Sequence, residues 1–388
     1  MSESQPTPDP VARARALQPL VREHAAEAER ERRLPTAVAE AMARAGLYRV
    51  SAPRSFQGAE MDPATQIETI EAIAYADGAT GWNLMIGIES FGLLSLNFPQ
   101  GKDLFADPLA ILCSSTAAVG AAEVAAGGFR VSGDWQFVSG CHNCHFFGGL
   151  VSVRKHGEAL LEPPRFALVP REEIEIVDTW HVAGLCGSGS HDVRVREVFV
   201  PEERTTSLVP APDARGDTPF ARIPNGSRLA YNKVGVALGI ARAAIDDFVE
   251  LATGKTPRFT STKLRERAFA QRAVASAEAR LRGARAFVME AVTELWQGAV
   301  AGKRPSDHQR ALLQIACSDA VRASAEAVDL VMEAAGTSAN WLDSPLERRV
   351  RDVKVIRQHV TVAPHHIEDA GRVLLGLPPE QLMLQMAT

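Results

Sequence analysis

The chain has 388 residues, 46% of them hydrophobic and 23% charged, with a formal net charge of -5 and an isoelectric point near 6.1. That length suffices for two or three domains with large cores, and the charge balance gives no electrostatic reason to expect nucleic acid. No apolar run reaches the length of a membrane span, the polar residues 1–6 lack the basic and apolar regions of a secretory leader, and five cysteines, an odd number, read as reduced thiols; a cytoplasmic protein is expected.

Beyond a Pro- and Ser-containing tail that ends near residue 10, residues 11–33 are rich in Ala, Arg, Glu and Leu. Leu17, Leu20 and Val21 recur there at helical intervals, which predicts an amphipathic helix. Pro35 opens a second helix that Gly46 ends, and Asp62-Pro63 begins a third that runs to Ala76. Residues 77–80 mark a break. The helix expected over 81–97 is almost wholly apolar except for Asn83, Glu89 and Ser90, so it is buried with those side chains facing a partner or a cavity.

Between residues 109 and 210 short runs of β-formers, at 109–114, 147–153, 165–169 and 193–200, alternate with turn residues and predict a compact β-domain. At its centre lies the glycine-punctuated stretch 128–149. Phe129, Val131, Trp135, Phe137 and Val138 predict two short strands there, with a tight turn at 132–134, and Ser139-Gly140 ends the second. A small hydroxyl beside a glycine at a strand end lets the backbone approach a flat ligand and aims one donor at it. Residues 210–225 read as a linker. From Ser227 onward, segments near 227–253, 261–302, 306–335 and 346–376 are helical, and Leu313, Ala316, Ala320, Ala327 and Val331 share one stripe. Four long helices with short connectors predict an antiparallel bundle. The expected organisation is α+β: a helical domain over 1–108, a β-domain over 109–215 and a four-helix bundle over 216–388.

The stretch 128–140 resembles the central motif of the flavin-dependent monooxygenases built on the acyl-CoA dehydrogenase fold, the oxygenase components of two-component systems such as p-hydroxyphenylacetate hydroxylase. Two further blocks match in the family's order: residues 178–193, with Trp180, Gly184, Gly187, Ser190 and Asp192, followed by 198–202; and Arg351-Asp352-Val353 with Gln358-His359 and 371–376. The resemblance implies an N-terminal helical domain, a middle β-barrel or sandwich and a C-terminal four-helix bundle, assembled as a homotetramer or at least a dimer. It also implies reduced FMN or FAD supplied by a separate flavin reductase, O2 as co-substrate, a flavin C4a-hydroperoxide, and transfer of one oxygen atom to a small, largely apolar, aromatic substrate.

Within that resemblance Ser139 hydrogen-bonds the flavin near N5. His359, eight residues after Arg351, acts as base or hydroperoxide partner, its ordinary pKa of about 6.5 making it an exchangeable donor or acceptor near neutrality. Taken alone, Ser139-Gly140 is equally an ordinary turn, and a lone histidine on a helix is equally a packed or surface residue. Trp180, Ser188 and Ser190 are the implied flavin contacts of the glycine-rich segment 184–190. That segment also reads as a β-turn, because it leads into a strand and lacks the strand-turn-helix context of a nucleotide fingerprint. Arg258 stands near the superfamily's Arg-Phe step, which reaches the flavin pyrophosphate of a neighbouring subunit. Glu89 and Ser90, where the hydroxylase branch has a histidine, are implied substrate contacts together with His142 and His145. Cys141, Cys144 and His145 formally match a haem-attachment or zinc pattern, but there is no second ligand pair, and no metal is expected.

The runner-up is a dehydrogenase or oxidase on the same fold. It needs a carboxylate over the substrate, and neither of the two places for one, 359–361 and 257–260, contains Asp or Glu. Oxygenation asks the protein mainly for a dry, shaped cavity and a few hydrogen bonds. A further histidine of the hydroxylase branch, three residues past His359, is Val362 here, which opens the reading to oxygenations other than phenol hydroxylation. A non-catalytic scaffold would have no flavin affinity, and the retained Ser139, Trp180 and His359 weigh against it.

Overall fold

The computed structural model describes residues 9–98, 105–207 and 218–385; the first half of the expected linker, 210–217, lies outside them. Helices come first: α1 (Pro10–Glu31), α2 (Thr36–Arg44), α3 (Pro63–Ala76) and α4 (Gly78–Asn97). Their starts follow from capping. The Asp62 carboxylate accepts the Thr65 N–H at 3.0 Å ahead of α3, and Asp77 accepts the N–H and hydroxyl of Thr80, both at 2.8 Å, ahead of α4. The break expected over 77–80 therefore shrinks to the single residue Asp77, and α4 begins three residues earlier than its apolar pattern suggests.

The strands are β1 (Leu112–Ala125), β2 (Gly128–Trp135), β3 (Phe146–Lys155), β4 (Glu158–Ala159), β5 (Arg165–Pro170), β6 (Glu175–Val177), β7 (Asp192–Pro201) and β8 (Thr205–Ser207). They form one mixed sheet in the order β6-β7-β2-β1-β3-β5-β8, with β4 on β3. β1 and β3 are parallel and the other pairings antiparallel. Residues 128–135 are one strand, not two with a turn at 132–134. Gly133 pairs with Val195 on β7, and the glycines here make room rather than a turn. A Cβ at Gly120, Gly133 or Gly149 would stand 2.4, 2.6 or 2.9 Å from the ring of Trp135, which is wholly buried and donates Nε1–H to the Leu150 carbonyl at 3.0 Å.

The remainder is helical: α5 (Pro219–Arg222), α6 (Asn225–Gly254), α7 (Ala268–Val300), α8 (Asp307–Ala335), α9 (Pro345–Ile356), α10 (His365–Leu374) and α11 (Leu382–Gln385). The long helices α6, α7 and α8 pack together, and α6 also packs along α3 and α4, which joins the two helical regions into one core. The approach is close: a Cβ at Gly239 would lie 2.5 Å from the Glu71 carbonyl oxygen. The fourth bundle helix expected over 346–376 is broken into α9 and α10. Val360, Thr361 and Val362 are β-branched, and Pro364 disfavours helical backbone at the residue before it. The chain turns instead, with Val362 N–H bonded to the His359 carbonyl at 3.0 Å. His359 thus stands in a break rather than on a helix. No described helix is long and apolar enough to cross a membrane.

Candidate active site

After β2 the chain leaves the sheet through residues 136–145, and a second loop, 185–191, runs beside it. The Val138 N–H bonds the His191 carbonyl at 3.0 Å and the Gly140 N–H bonds the Ser188 carbonyl at 3.1 Å, so the loops are locked to each other. Three buried hydroxyls converge as a result. Ser139 Oγ lies 2.7 Å from Ser190 Oγ, which lies 2.7 Å from Ser188 Oγ. Trp82 on α4 donates its indole N–H to Ser139 Oγ at 3.0 Å. Three hydroxyl hydrogens serve two bonds among the serines, which leaves one to donate elsewhere.

Asn83, beside Trp82, locks the same loops to α4. Its amide donates to the Ser188 carbonyl at 3.3 Å, and a Cβ at Gly140 would come within 2.7 Å of its Oδ1. Gly140 also has φ +76, so glycine is required there twice over. Phe137, two residues before Ser139, has φ +58 although it is not glycine, and its side chain is 61% exposed. Its ring stands edge-on to Trp180 at 6.2 Å. A left-handed aromatic held in solvent marks a place where backbone strain and apolar exposure are both retained.

His359 closes the arrangement from the break between α9 and α10, its ring edge-on to Trp82 at 5.3 Å. Nδ1 accepts the Thr361 N–H at 3.3 Å and faces the Thr361 hydroxyl at 3.0 Å, an arrangement that assigns the ring proton to Nε2. Burial first, and the positive charge of Lys233 second, hold the imidazole well below its ordinary pKa. His359 is consequently a neutral side chain whose Nε2–H is available as a donor. Gln314 steadies the turn from behind, donating to the Thr361 carbonyl at 2.9 Å. Lys233 on α6 is itself buried and ion-paired to Glu89 on α4.

The other residues singled out from the sequence fall into two groups. Ser188 and Ser190 belong to the hydroxyl cluster, and Trp180 borders it, with its indole N–H on the Leu185 carbonyl at 3.2 Å. Ser90 Oγ is paired with Ser114 Oγ of β1 at 2.9 Å, and Glu89 faces Lys233. His142 instead packs on His191 at 5.1 Å, and burial, with the charge of His191 second, pushes it down to about 4. His145 is exposed and accepts the Ile111 N–H on Nδ1 at 3.0 Å, which ties the start of β3 to the approach to β1. No described contact joins either histidine to Ser139 or His359. Arg258 is exposed, its guanidinium 4.8 Å from the ring of its neighbour Phe259, at the far end of α6, about 30 Å along that helix from Lys233. Trp82, Phe137, Thr361 and Lys233 were not singled out from the sequence. Lys233, a lone cation ahead of the apolar run 234–241, carried a visible signal; Trp82 carried none.

Comparison with known proteins gives the family. Residues 12–97 match the family described as acyl-CoA dehydrogenase, N-terminal domain, and residues 232–364 match acyl-CoA dehydrogenase, C-terminal domain. Over 354 residues the chain is 33% identical to indole-3-acetate monooxygenase of Pseudomonas putida, covering 91% of this chain and 90% of that protein. The chain belongs to the flavin-dependent monooxygenases of the acyl-CoA dehydrogenase superfamily. The monooxygenase is also 30% identical to the FADH2-dependent resorcinol hydroxylase, oxygenase component, of a Rhizobium species, over 95% of each chain. Its fold superposes with a TM-score of 0.89 on XiaF from a Streptomyces species in complex with FADH2 and glycerol, at 26% identity and 97% coverage of both chains. The dehydrogenase alternative is thereby set aside.

The residues of the monooxygenase fit a flavin ring. The spare hydroxyl hydrogen of the serine cluster matches an acceptor on the ring edge, and exposed Phe137 beside Trp180 offers an aromatic ledge.

Proposed function

We propose that the monooxygenase is the oxygenase component of a two-component system, that a separate reductase supplies its reduced FMN or FAD, and that it inserts one atom of O2 into a small aromatic substrate. The observation that carries this reading is the buried relay Trp82, Ser139, Ser190 and Ser188 set against the neutral His359. When bound, the reduced flavin supplies the electrons that activate O2. The second oxygen atom leaves as water.

The chain's own residues do the rest. Ser139, its oxygen engaged by Trp82 and Ser190, positions the ring edge through a hydroxyl hydrogen. Ser188 and Ser190 keep that hydroxyl from rotating. Phe137 and Trp180 cover the ring and exclude water. His359 holds a proton on Nε2 and donates it as a hydrogen bond at the reacting centre; its Nδ1 is committed to Thr361, so it serves as a donor before it serves as a base. Glu89 and Ser90 on α4 line the side where substrate rests. Arg258, remote from the cluster within one chain, acts across subunits in a homotetramer. The free thiols Cys113, Cys141, Cys144, Cys186 and Cys317 suit a reducing cytoplasm.

The test is anaerobic titration of the purified protein with reduced FMN and with FADH2, followed by oxygen and a panel of small aromatic compounds. Tight binding of a reduced flavin and oxygenated product support the reading. Absence of reduced-flavin binding, or oxidation of the flavin with peroxide as sole product for every compound, overturns it.

A further inference from the structure

Residues 178–182, which follow β6, have no regular secondary structure, so the main-chain groups of Trp180 find their partners elsewhere. They find them on side chains. The Trp180 N–H donates to His191 Nδ1 at 3.3 Å, and its carbonyl accepts from Arg32 Nη1 at 3.4 Å. With the indole N–H on the Leu185 carbonyl, all three hydrogen-bonding groups of this half-buried residue are engaged.

The grip on Trp180 is itself held in place. His191 is 4% exposed, and its Nε2 stands 3.1 Å from the Arg32 carbonyl. A carbonyl can only accept, so the ring proton is on Nε2 and Nδ1 offers a lone pair to Trp180. Burial, first among the causes, holds the imidazole below its ordinary pKa and keeps it in that neutral form. Asp178 Oδ1 lies 3.4 Å from the same Nδ1, but the carboxylate is engaged by Arg32, whose Nη2 donates to Oδ2 at 2.9 Å. Arg32 is the left-handed residue, φ +51, that ends α1. On the opposite side the His191 carbonyl accepts the Val138 N–H, and the ring packs on His142. Stability does not account for this assembly, because the Asp178 carboxylate is 62% exposed and ion pairs open to solvent contribute little. What it fixes is one ring, which stands edge-on to exposed Phe137 at 6.2 Å beside the loop that carries Ser139.

We propose that His191 is a positioning residue for the flavin: by accepting the Trp180 N–H on Nδ1 and donating Nε2–H to the end of α1, it sets the angle at which the Trp180 ring meets the bound flavin ring. This rests on the reading under Proposed function that Trp180 covers the flavin. His191 acts through Trp180 and not by contact with the cofactor. Arg32 completes the device by holding the other side of the same residue.

The experiment keeps the two imidazole nitrogens one at a time. In His191→Asn the side-chain oxygen takes the place of Nδ1 and still accepts from Trp180. In His191→Gln the amide nitrogen takes the place of Nε2 and keeps only the bond to Arg32. Each variant is titrated anaerobically with reduced FMN and with FADH2, and thermal unfolding is recorded alongside. For whichever flavin binds more tightly, the glutamine variant should bind about tenfold more weakly than wild type and the asparagine variant within about threefold of it. In a Trp180→Ala background the two should differ by less than about twofold, because the ring they position is gone. A histidine that only supports the fold would give losses that follow thermal stability and persist in that background. Equal binding by the glutamine and asparagine variants, or a glutamine deficit undiminished by Trp180→Ala, overturns the inference. If the glutamine variant does not fold, Arg32→Met releases the other side of Trp180 and must show the same dependence on its ring. Failure of the wild type to bind reduced flavin at all would instead strike the underlying functional reading.

Discussion

Asp352 Oδ1 accepts the backbone N–H of Leu185 at 2.6 Å, across 167 positions of sequence. Asp352 lies on α9, seven residues before His359, and Leu185 opens the turn that presents Ser188 and Ser190. One carboxylate thus holds the histidine-bearing and serine-bearing segments in register. It does so at the foot of α4, where Asp77 caps the helix that carries Trp82 and Asn83.

Burial, with the charge of Asp77 second, pushes Asp352 up to about 7 from 3.8. A folded pKa above the unfolded one means that the stability this group contributes is full below about pH 4 and is lost as pH rises through about 7. Asp352→Asn keeps an acceptor for Leu185 and removes the charge. Its thermal stability relative to wild type should rise between pH 4 and pH 8, with a ceiling on the order of 4 kcal/mol at about 1.4 kcal/mol per pKa unit. Thermal unfolding at three pH values checks this; a constant offset contradicts it. Asp352→Ala, lacking the acceptor, should weaken reduced-flavin binding at every pH.

Ser139→Ala leaves the buried indole N–H of Trp82 without its acceptor. Stranding a buried donor costs about 1–3 kcal/mol, so urea unfolding of the flavin-free protein should show a loss in that range. The same variant should bind reduced flavin at least about tenfold more weakly. Ser188→Ala, which spares the Trp82 bond, should lose less on both counts. Equal losses in the two variants would remove Ser139 from its central place.

His359 is held neutral by burial and by Lys233. A histidine with a depressed folded pKa contributes stability that is present above its unfolded pKa of about 6.5 and is lost as pH falls below it. His359→Gln should therefore gain on wild type in thermal stability as pH drops from 8 to 5. Turnover between pH 6 and pH 8 should show no step from this imidazole. His359→Ala should still bind reduced flavin yet divert consumed O2 to H2O2, read as product and peroxide formed per O2; unchanged coupling would refute its role.

The helices before residue 98 were largely legible because their signals are local: Asp62-Pro63 starts α3 and apolar spacing does the rest, whereas Asp77, read as part of a break, is in fact the cap of α4. The serines at 139, 188 and 190 were legible only through their resemblance to a family pattern. Three features were not legible, each for a tertiary reason. Gly133 imitates a turn residue, and only the ring of Trp135 above it shows that the glycine is there for space. The break after α9 depends on β-branched residues and Pro364 winning over a run of good helix formers. Trp82 is 57 positions from Ser139, and nothing in an apolar helix marks which of its residues will donate to a distant hydroxyl.

Phe137 gives a test that separates function from stability. Its left-handed backbone costs about 1–2 kcal/mol for a residue with a Cβ, and its exposed ring returns little beyond the edge contact with Trp180. Asparagine tolerates that conformation better than any aromatic residue. Phe137→Asn should leave the thermal stability of the flavin-free protein unchanged or raise it by up to about 1 kcal/mol. If the ring is retained to cover a bound flavin, the same variant must bind reduced flavin more weakly, because an exposed aromatic ledge has been lost and nothing else in the serine cluster has moved. Flavin titration and thermal unfolding of one protein decide the matter. A variant that is less stable but binds flavin normally would make Phe137 a packing residue, and its strained backbone would then have no functional account.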